Sequence, residues 1–134
     1  MSRIVIVDDS PTIRRMVRTS LASLSPASFV EAGSGLEAIE QLTLGPVTLM
    51  VLDLNMPDMH GLEVLNFVRR HPMYRAQPVI VLTTRGDDAS RAAAVEAGAT
   101  VYMTKPFVPQ ALAERARALL GGTAPALETQ TRVD

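Results

Sequence analysis

Apolar residues in this chain gather into four short unbroken runs, Ile4-Val5-Ile6-Val7, Leu49-Met50-Val51-Leu52, Val79-Ile80-Val81-Leu82 and Val101-Tyr102-Met103. They do not alternate with polar residues, and β-branched side chains are frequent among them. A strand reads this way when both of its faces are buried in a parallel sheet. A less regular run, Ser28-Phe29-Val30-Glu31-Ala32, predicts a fifth strand.

Helical spacing fills the intervals. Ile13, Met16, Val17, Leu21 and Leu24 recur on one face after Ser10-Pro11, a helix cap followed by a first-turn proline. Met16, Met50 and Met103 read as core filler. Ser34-Gly35-Leu36-Glu37 matches a capping box, and Gly45-Pro46 stops the helix that it opens. Leu62, Leu65 and Val68 mark a third helix, ended by His71-Pro72. Asp88 is predicted to cap a fourth, alanine-rich helix that closes at Gly98. Pro109 opens a fifth, carrying Leu112, Ala116, Leu119 and Leu120, with Gly121-Gly122 at its end. Five β-α units in succession imply right-handed crossovers and a doubly wound α/β fold, with helices on both faces of a five-stranded parallel sheet. Residues 1–121 are expected to form this domain. The segment 122–134 is polar, lacks an apolar period and is predicted to be disordered.

Composition narrows the function. A chain of 134 residues suits one domain with one core. Its 13 basic and 14 acidic residues nearly cancel, so whole-chain charge argues for neither nucleic acid nor an acidic membrane surface. No cysteine is present, which excludes disulfides and thiolate metal sites and fits a reducing compartment. The first apolar run is too short for a signal peptide, and none approaches the ~20 residues that span a bilayer. A soluble cytoplasmic protein is expected.

Open α/β sheets bind ligands beyond the carboxyl ends of their strands. There the chain carries Asp8-Asp9 after strand one, Asp53 after strand three, Thr83-Thr84 after strand four and Thr104-Lys105-Pro106 after strand five. Three carboxylates on one edge repel, and unpaired burial would be costly. A hard divalent cation resolves the conflict, and an all-oxygen set suits Mg²⁺. One carboxylate can also act as a nucleophile toward phosphorus, with the metal, the Lys105 ammonium and the Thr83 hydroxyl neutralising the phosphoryl oxygens. Spacing thus suggests metal-assisted phosphoryl transfer to Asp53.

The segments Val5-Ile6-Val7-Asp8-Asp9-Ser10, Leu52-Asp53-Leu54-Asn55-Met56-Pro57, Gly61-Leu62-Glu63, Leu82-Thr83, Gly98-Ala99 and Lys105-Pro106-Phe107 resemble the receiver domain of two-component response regulators, the CheY-like family. The resemblance runs from about residue 3 to residue 120. It implies a flavodoxin-like (βα)5 fold with strand order 2-1-3-4-5. It also implies that Asp53 is the phosphoacceptor, that Asp9 binds Mg²⁺ directly and Asp8 through water, and that Asn55 offers its backbone carbonyl. Thr83 would bond a phosphoryl oxygen, and Lys105 would pair with phosphate or with Asp53. The Lys105-Pro106 bond would be cis and aim the lysine inward. Thr83 and Tyr102 would act as the switch, with the tyrosine turning inward on activation.

The implied function is that of a phospho-accepting regulator, not an enzyme beyond catalysing its own phosphorylation and dephosphorylation. A histidine kinase or histidine phosphotransfer protein would donate, and a downstream protein would bind through helix four, strand five and helix five, in chemotaxis or a similar pathway. Direct binding to nucleic acid or membrane is not expected; a monomer and a phosphorylation-dependent dimer both remain open. With no effector segment after helix five, a stand-alone protein is expected, although a phosphate sink, a relay receiver or a fragment of a longer regulator fits the same residues. Arg85, Arg91 and Arg115 suggest a basic output surface, and the alanines of helix four suggest weak anchoring. His60 stands where the family commonly has aspartate, and is expected to weaken the cap of helix three. His60 and His71 are isolated and are not read as metal ligands. A haloacid-dehalogenase-type phosphatase would need an aspartate at position 55, where Asn55 cannot transfer a proton. A nucleotide or flavin binder would need a glycine-rich loop after strand one, and Gly33-Ser34-Gly35 after strand two is too short a signal.

Overall fold

The computed structural model describes residues 2–24 and 26–121; the predicted disordered tail lies outside them. Elements alternate along the chain as β1 (Ser2–Val7), α1 (Pro11–Ser20), β2 (Ala27–Ala32), α2 (Gly35–Leu44), β3 (Leu49–Leu52), α3 (Gly61–Arg70), β4 (Val79–Thr83), α4 (Asp88–Ala97), β5 (Val101–Thr104) and α5 (Pro109–Leu120). The strands form one all-parallel sheet in the order β2-β1-β3-β4-β5. The strand order reverses between β1 and β3, so the crevice at their carboxyl ends is the expected ligand position.

Side chains alternate across the sheet and feed two cores. Ile4, Ile6, Leu49, Val51, Ile80, Leu82 and Val101 face α1 and α5, meeting Val17, Leu112, Ala116 and Leu119. Val5, Val7, Met50, Leu52, Val79 and Val81 face α2, α3 and α4, meeting Ala38, Leu42, Val64, Leu65, Val68 and Ala94. The central strands are therefore apolar on both faces, which explains their unbroken runs. Met16 departs from its expected core role: it is 47% exposed and lines a groove between α1 and α5. It lies one position before Val17, which takes the buried place on that helix.

Helix ends are specified locally, with three differences from expectation. α4 is capped by Asp87, whose carboxylate accepts the Ser90 N–H at 3.0 Å, leaving Asp88 in the first turn. His60 caps α3 fully: its Nδ1 accepts the Leu62 N–H at 3.1 Å, and Glu63 accepts the His60 N–H at 3.1 Å. An imidazole nitrogen carries a lone pair and serves here as a carboxylate would. At α2, Ser34 accepts from Glu37 N, but Glu37 reaches back to Gly33 instead of Ser34. Gly98 closes α4 with φ of 111°, a left-handed conformation that glycine adopts without strain.

Gly61, the first residue of α3, positions the site most directly. Its N–H donates to Leu54 O at 2.8 Å, and a Cβ built there would lie 2.4 Å from Asp53 O and 2.6 Å from Leu54 Cα. Both contacts are backbone, so the end of β3 would have to move. Replacing Gly61 with alanine should lower unfolding stability by about 1–3 kcal/mol, the usual cost of overpacking. The opposing gain of about 1 kcal/mol in helix propensity is smaller at a terminal position. Urea unfolding would register this as a lower midpoint at unchanged slope; an unchanged midpoint would contradict it.

Candidate functional site

The carboxyl ends of β1 and β3 bring Asp8 and Asp53 side by side, 3% and 4% exposed, with Asp9 on the exposed turn beyond β1. One carboxylate oxygen from each of Asp8, Asp9 and Asp53 lies within 4.8 Å of the other two. Asp8 is held from several directions. Its N–H donates to Ala32 O at 3.0 Å, and its carboxylate accepts the Ser10 N–H at 2.9 Å. Its backbone carbonyl accepts Arg14 Nη1 at 2.6 Å.

Lys105 arrives from the loop after β5, and the Lys105-Pro106 peptide bond is cis. Its N–H donates to Thr83 O at 2.8 Å, tying that loop to the end of β4. The ammonium donates to Asp8 Oδ2 at 2.9 Å and lies 3.7 Å from Asp53 Oδ1. The expected pairing with Asp53 is thus the longer of two, because Asp8 presents the nearer oxygen. Burial, and then the Asp8 charge beside it, push the Asp53 carboxyl above its ordinary range; Lys105 and the Asn55 N–H work against them.

Thr83 is fully buried and Thr84 is exposed, so the hydroxyl at the sheet edge is that of Thr83. Thr83 Oγ1 accepts the Arg85 N–H at 3.3 Å, and the Arg85 carbonyl accepts the hydroxyl of Tyr102. Tyr102 is 4% exposed, so the ring already lies inward. Burial raises its hydroxyl above the ordinary tyrosine range. The Arg91 guanidinium sits 5.0 Å from the ring centroid. The expected basic surface is therefore partly engaged: Arg91 stacks on Tyr102, and Arg85 pairs with Asp87 at 3.6 Å. Of α4, only Ala94 is buried.

Sequence reasoning missed Asp58. Its carboxylate reaches from the β3–α3 loop to the N-terminus of α2, accepting the Gly35 and Leu36 N–H groups at 3.2 Å each. Desolvation is the largest single influence and raises its carboxyl, but the Leu36, Gly35 and Met59 N–H groups together outweigh it and hold the group below the ordinary range. This contact also argues against the nucleotide reading, since the Gly35 and Leu36 amides that a phosphate would need are occupied by the Asp58 carboxylate. Only a capping preference on α2, 22 residues away in sequence, hinted at it.

A doubly wound sheet with carboxylates, a lysine and a threonine on its carboxyl edge has the architecture of a signal receiver. Residues 4–117 match the response regulator receiver domain family, and the chain belongs to that family, the receivers of two-component signalling. It is 39% identical over 120 residues to the chemotaxis protein CheY homolog of Campylobacter jejuni, covering 89% of this chain and 92% of that one. It is 38% identical over 120 residues to chemotaxis protein CheY1 of Helicobacter pylori, covering 89% and 97%. The solved chemotaxis response regulator CheY4 of Vibrio cholerae superposes with a TM-score of 0.81 at 30% identity, over 89% of this chain and 98% of that one. Among the described residues, no helix is long and apolar enough to cross a membrane.

The raised Asp53 carboxyl has a consequence for stability. Between the ordinary carboxylate pKa and its higher folded value, the folded chain binds more protons than the unfolded chain, so stability falls as pH rises through that window. In metal-free buffer, Asp53→Asn should raise the unfolding midpoint at neutral pH. The gain should shrink as the pH drops below the ordinary carboxylate range, where both forms are uncharged. Thermal melts in EDTA at neutral and acid pH test it, and a destabilised variant at neutral pH would refute it.

Proposed function

We propose that Asp53 is the phosphoacceptor and that a histidine of a kinase or phosphotransfer protein supplies the phosphoryl group. The supporting observation is the buried Asp53 carboxylate, clustered with Asp8 and Asp9 and 3.7 Å from the Lys105 ammonium. A carboxylate oxygen of Asp53 attacks phosphorus and a P–O bond forms. The P–N bond to the donor imidazole breaks, its electron pair returns to nitrogen, and that nitrogen is reprotonated.

Lys105 pairs with one phosphoryl oxygen. Thr83, whose oxygen accepts from Arg85, keeps its hydroxyl proton to donate to another. Asp8, Asp9, Asp53 and the Asn55 backbone carbonyl would hold Mg²⁺, with Asp9 direct and Asp8 through water; the oxygen-only donor set and the crowded carboxylates fit that ion. When bound, it neutralises the charge that accumulates on the carboxylates and the phosphoryl oxygens. Hydrolysis of the acyl phosphate resets the chain, whose own catalysis is limited to these two steps.

Output runs through the α4-β5-α5 face. Thr83, Arg85 and Tyr102 form a hydrogen-bonded series from the site to that face. A phosphoryl group that recruits the Thr83 hydroxyl perturbs the series and shifts the packing of α4. The relatives named as chemotaxis proteins make a cytoplasmic chemotaxis pathway the first to examine.

Incubation with Mg²⁺ and acetyl phosphate should add one phosphoryl group to the intact mass, abolished by EDTA and by Asp53→Asn. Beryllofluoride should bind under the same requirements. Absence of both adducts would overturn the assignment of Asp53. Thr83→Ala should still accept a phosphoryl group, but should lose the phosphorylation-dependent change in partner affinity, for which couplings of about 1–3 kcal/mol are typical. Full retention of that change would remove Thr83 from the switch.

A further inference from the structure

Two of the three clustered carboxylates are buried, while Asp9 stands on the exposed turn between β1 and α1. What aims Asp9 is visible one helical turn later. The Arg14 guanidinium folds back over this turn, and its Nη1 donates to the Asp8 carbonyl at 2.6 Å. That oxygen belongs to the planar Asp8-Asp9 peptide, so holding it fixes the plane from which Asp9 departs. The preceding peptide is held as well, by Asp8 N–H to Ala32 O at 3.0 Å.

Arg14 is itself clamped. Its Nε donates to Glu31 Oε1 at 2.9 Å, and the other oxygen of Glu31 accepts Arg18 Nη1 at 3.1 Å. The Arg14 hydrogen bond is the leading cause that holds the Glu31 carboxyl below its ordinary range. Gly33 leaves room for the guanidinium: a Cβ there would lie 3.3 Å from Arg14 Nη1. The Arg14 side chain is only 17% exposed, so little freedom remains to it.

We propose that Arg14 is a positioning residue that presents Asp9 to the divalent cation, with Glu31 as its anchor. This rests on the reading of Asp8, Asp9 and Asp53 as Mg²⁺ ligands. The role is separable from electrostatics by sign. A cation beside an acidic cluster repels a divalent ion, so removing its charge alone would tighten Mg²⁺ binding. Removing a device that orders a ligand weakens binding, because the ordering cost then falls on the binding step.

The test is calorimetric titration of the full chain with Mg²⁺, with melts in EDTA recording intrinsic stability separately. Arg14→Gln should weaken Mg²⁺ affinity by about tenfold, the lower end for partners that orient metal ligands. Arg14→Lys keeps the charge but loses the fork that spans Glu31 and the Asp8 carbonyl, and should weaken binding in the same direction. Because it leaves the local charge unchanged, Arg14→Lys decides the matter if Arg14→Gln fails to melt cooperatively. A lower melting temperature with unchanged or tighter Mg²⁺ binding would make Arg14 structural only and overturn the proposal. A wild-type chain that binds no Mg²⁺ would instead bring down the metal reading, and this inference with it.

Discussion

The rest of the structure is arranged around carboxylates crowded at a sheet edge from which water is largely excluded. Asp8 and Asp53 are nearly inaccessible, with Asp9 close by. Repulsion between like charges grows as the local dielectric falls, and Lys105 brings one positive charge within 4 Å of both Asp8 and Asp53. The backbone supplies further compensation: Ser10 N–H supports Asp8 and Asn55 N–H supports Asp53. The balance remains unfavourable to a charged Asp53, as the upward displacement of its carboxyl records. A cation or a phosphoryl group that changes this balance has leverage over the fold because the edge is already under electrostatic load.

The frame of this edge was legible in the chain and its wiring was not. Unbroken apolar runs reported strands buried on both faces, and the polar residue closing each run reported what stands at the carboxyl edge. Asp8, Asp53, Thr83 and Lys105 were found that way because strand ends are local. The pairings among them depend on distances that no spacing encodes. Lys105 lies nearer Asp8 than Asp53, and Arg14 chooses a backbone carbonyl as acceptor. A carbonyl acceptor leaves no residue-type signature. Asp58 escaped for a related reason, since its partners are amides of a helix that precedes it by more than 20 positions. At His60 residue type hid the contact: its Nδ1 accepts a first-turn N–H and completes a capping box.

The series from Thr83 through the Arg85 backbone to Tyr102 joins the edge to a helix that the core holds weakly. Alanines give α4 good intrinsic helicity but little apolar area to bury, and Ala94 is its one buried residue. Such a helix persists while its position stays cheap to change. Its neighbour α3, with Val64, Leu65 and Val68 buried, is anchored far more firmly. On the proposed output route, a perturbation arriving through the β4–α4 loop would act on the less anchored α4 before α3.

That asymmetry constrains how a site chemistry can become a signal. A ligand shifts an equilibrium only by its differential affinity for the two states, so the second packing must lie within a few kcal/mol of the first. Tyr102 is already buried, with its hydroxyl on the Arg85 carbonyl and the Arg91 guanidinium over its ring. Under the proposed switch the two states would differ at the Thr83–Arg85 contact, at 3.3 Å a long hydrogen bond between the end of β4 and the loop that leads to α4. A weak bond at that point suits the proposed switch: it is ordered enough to fix the loop, and drawing the Thr83 hydroxyl toward a phosphoryl oxygen would give up only one neutral contact.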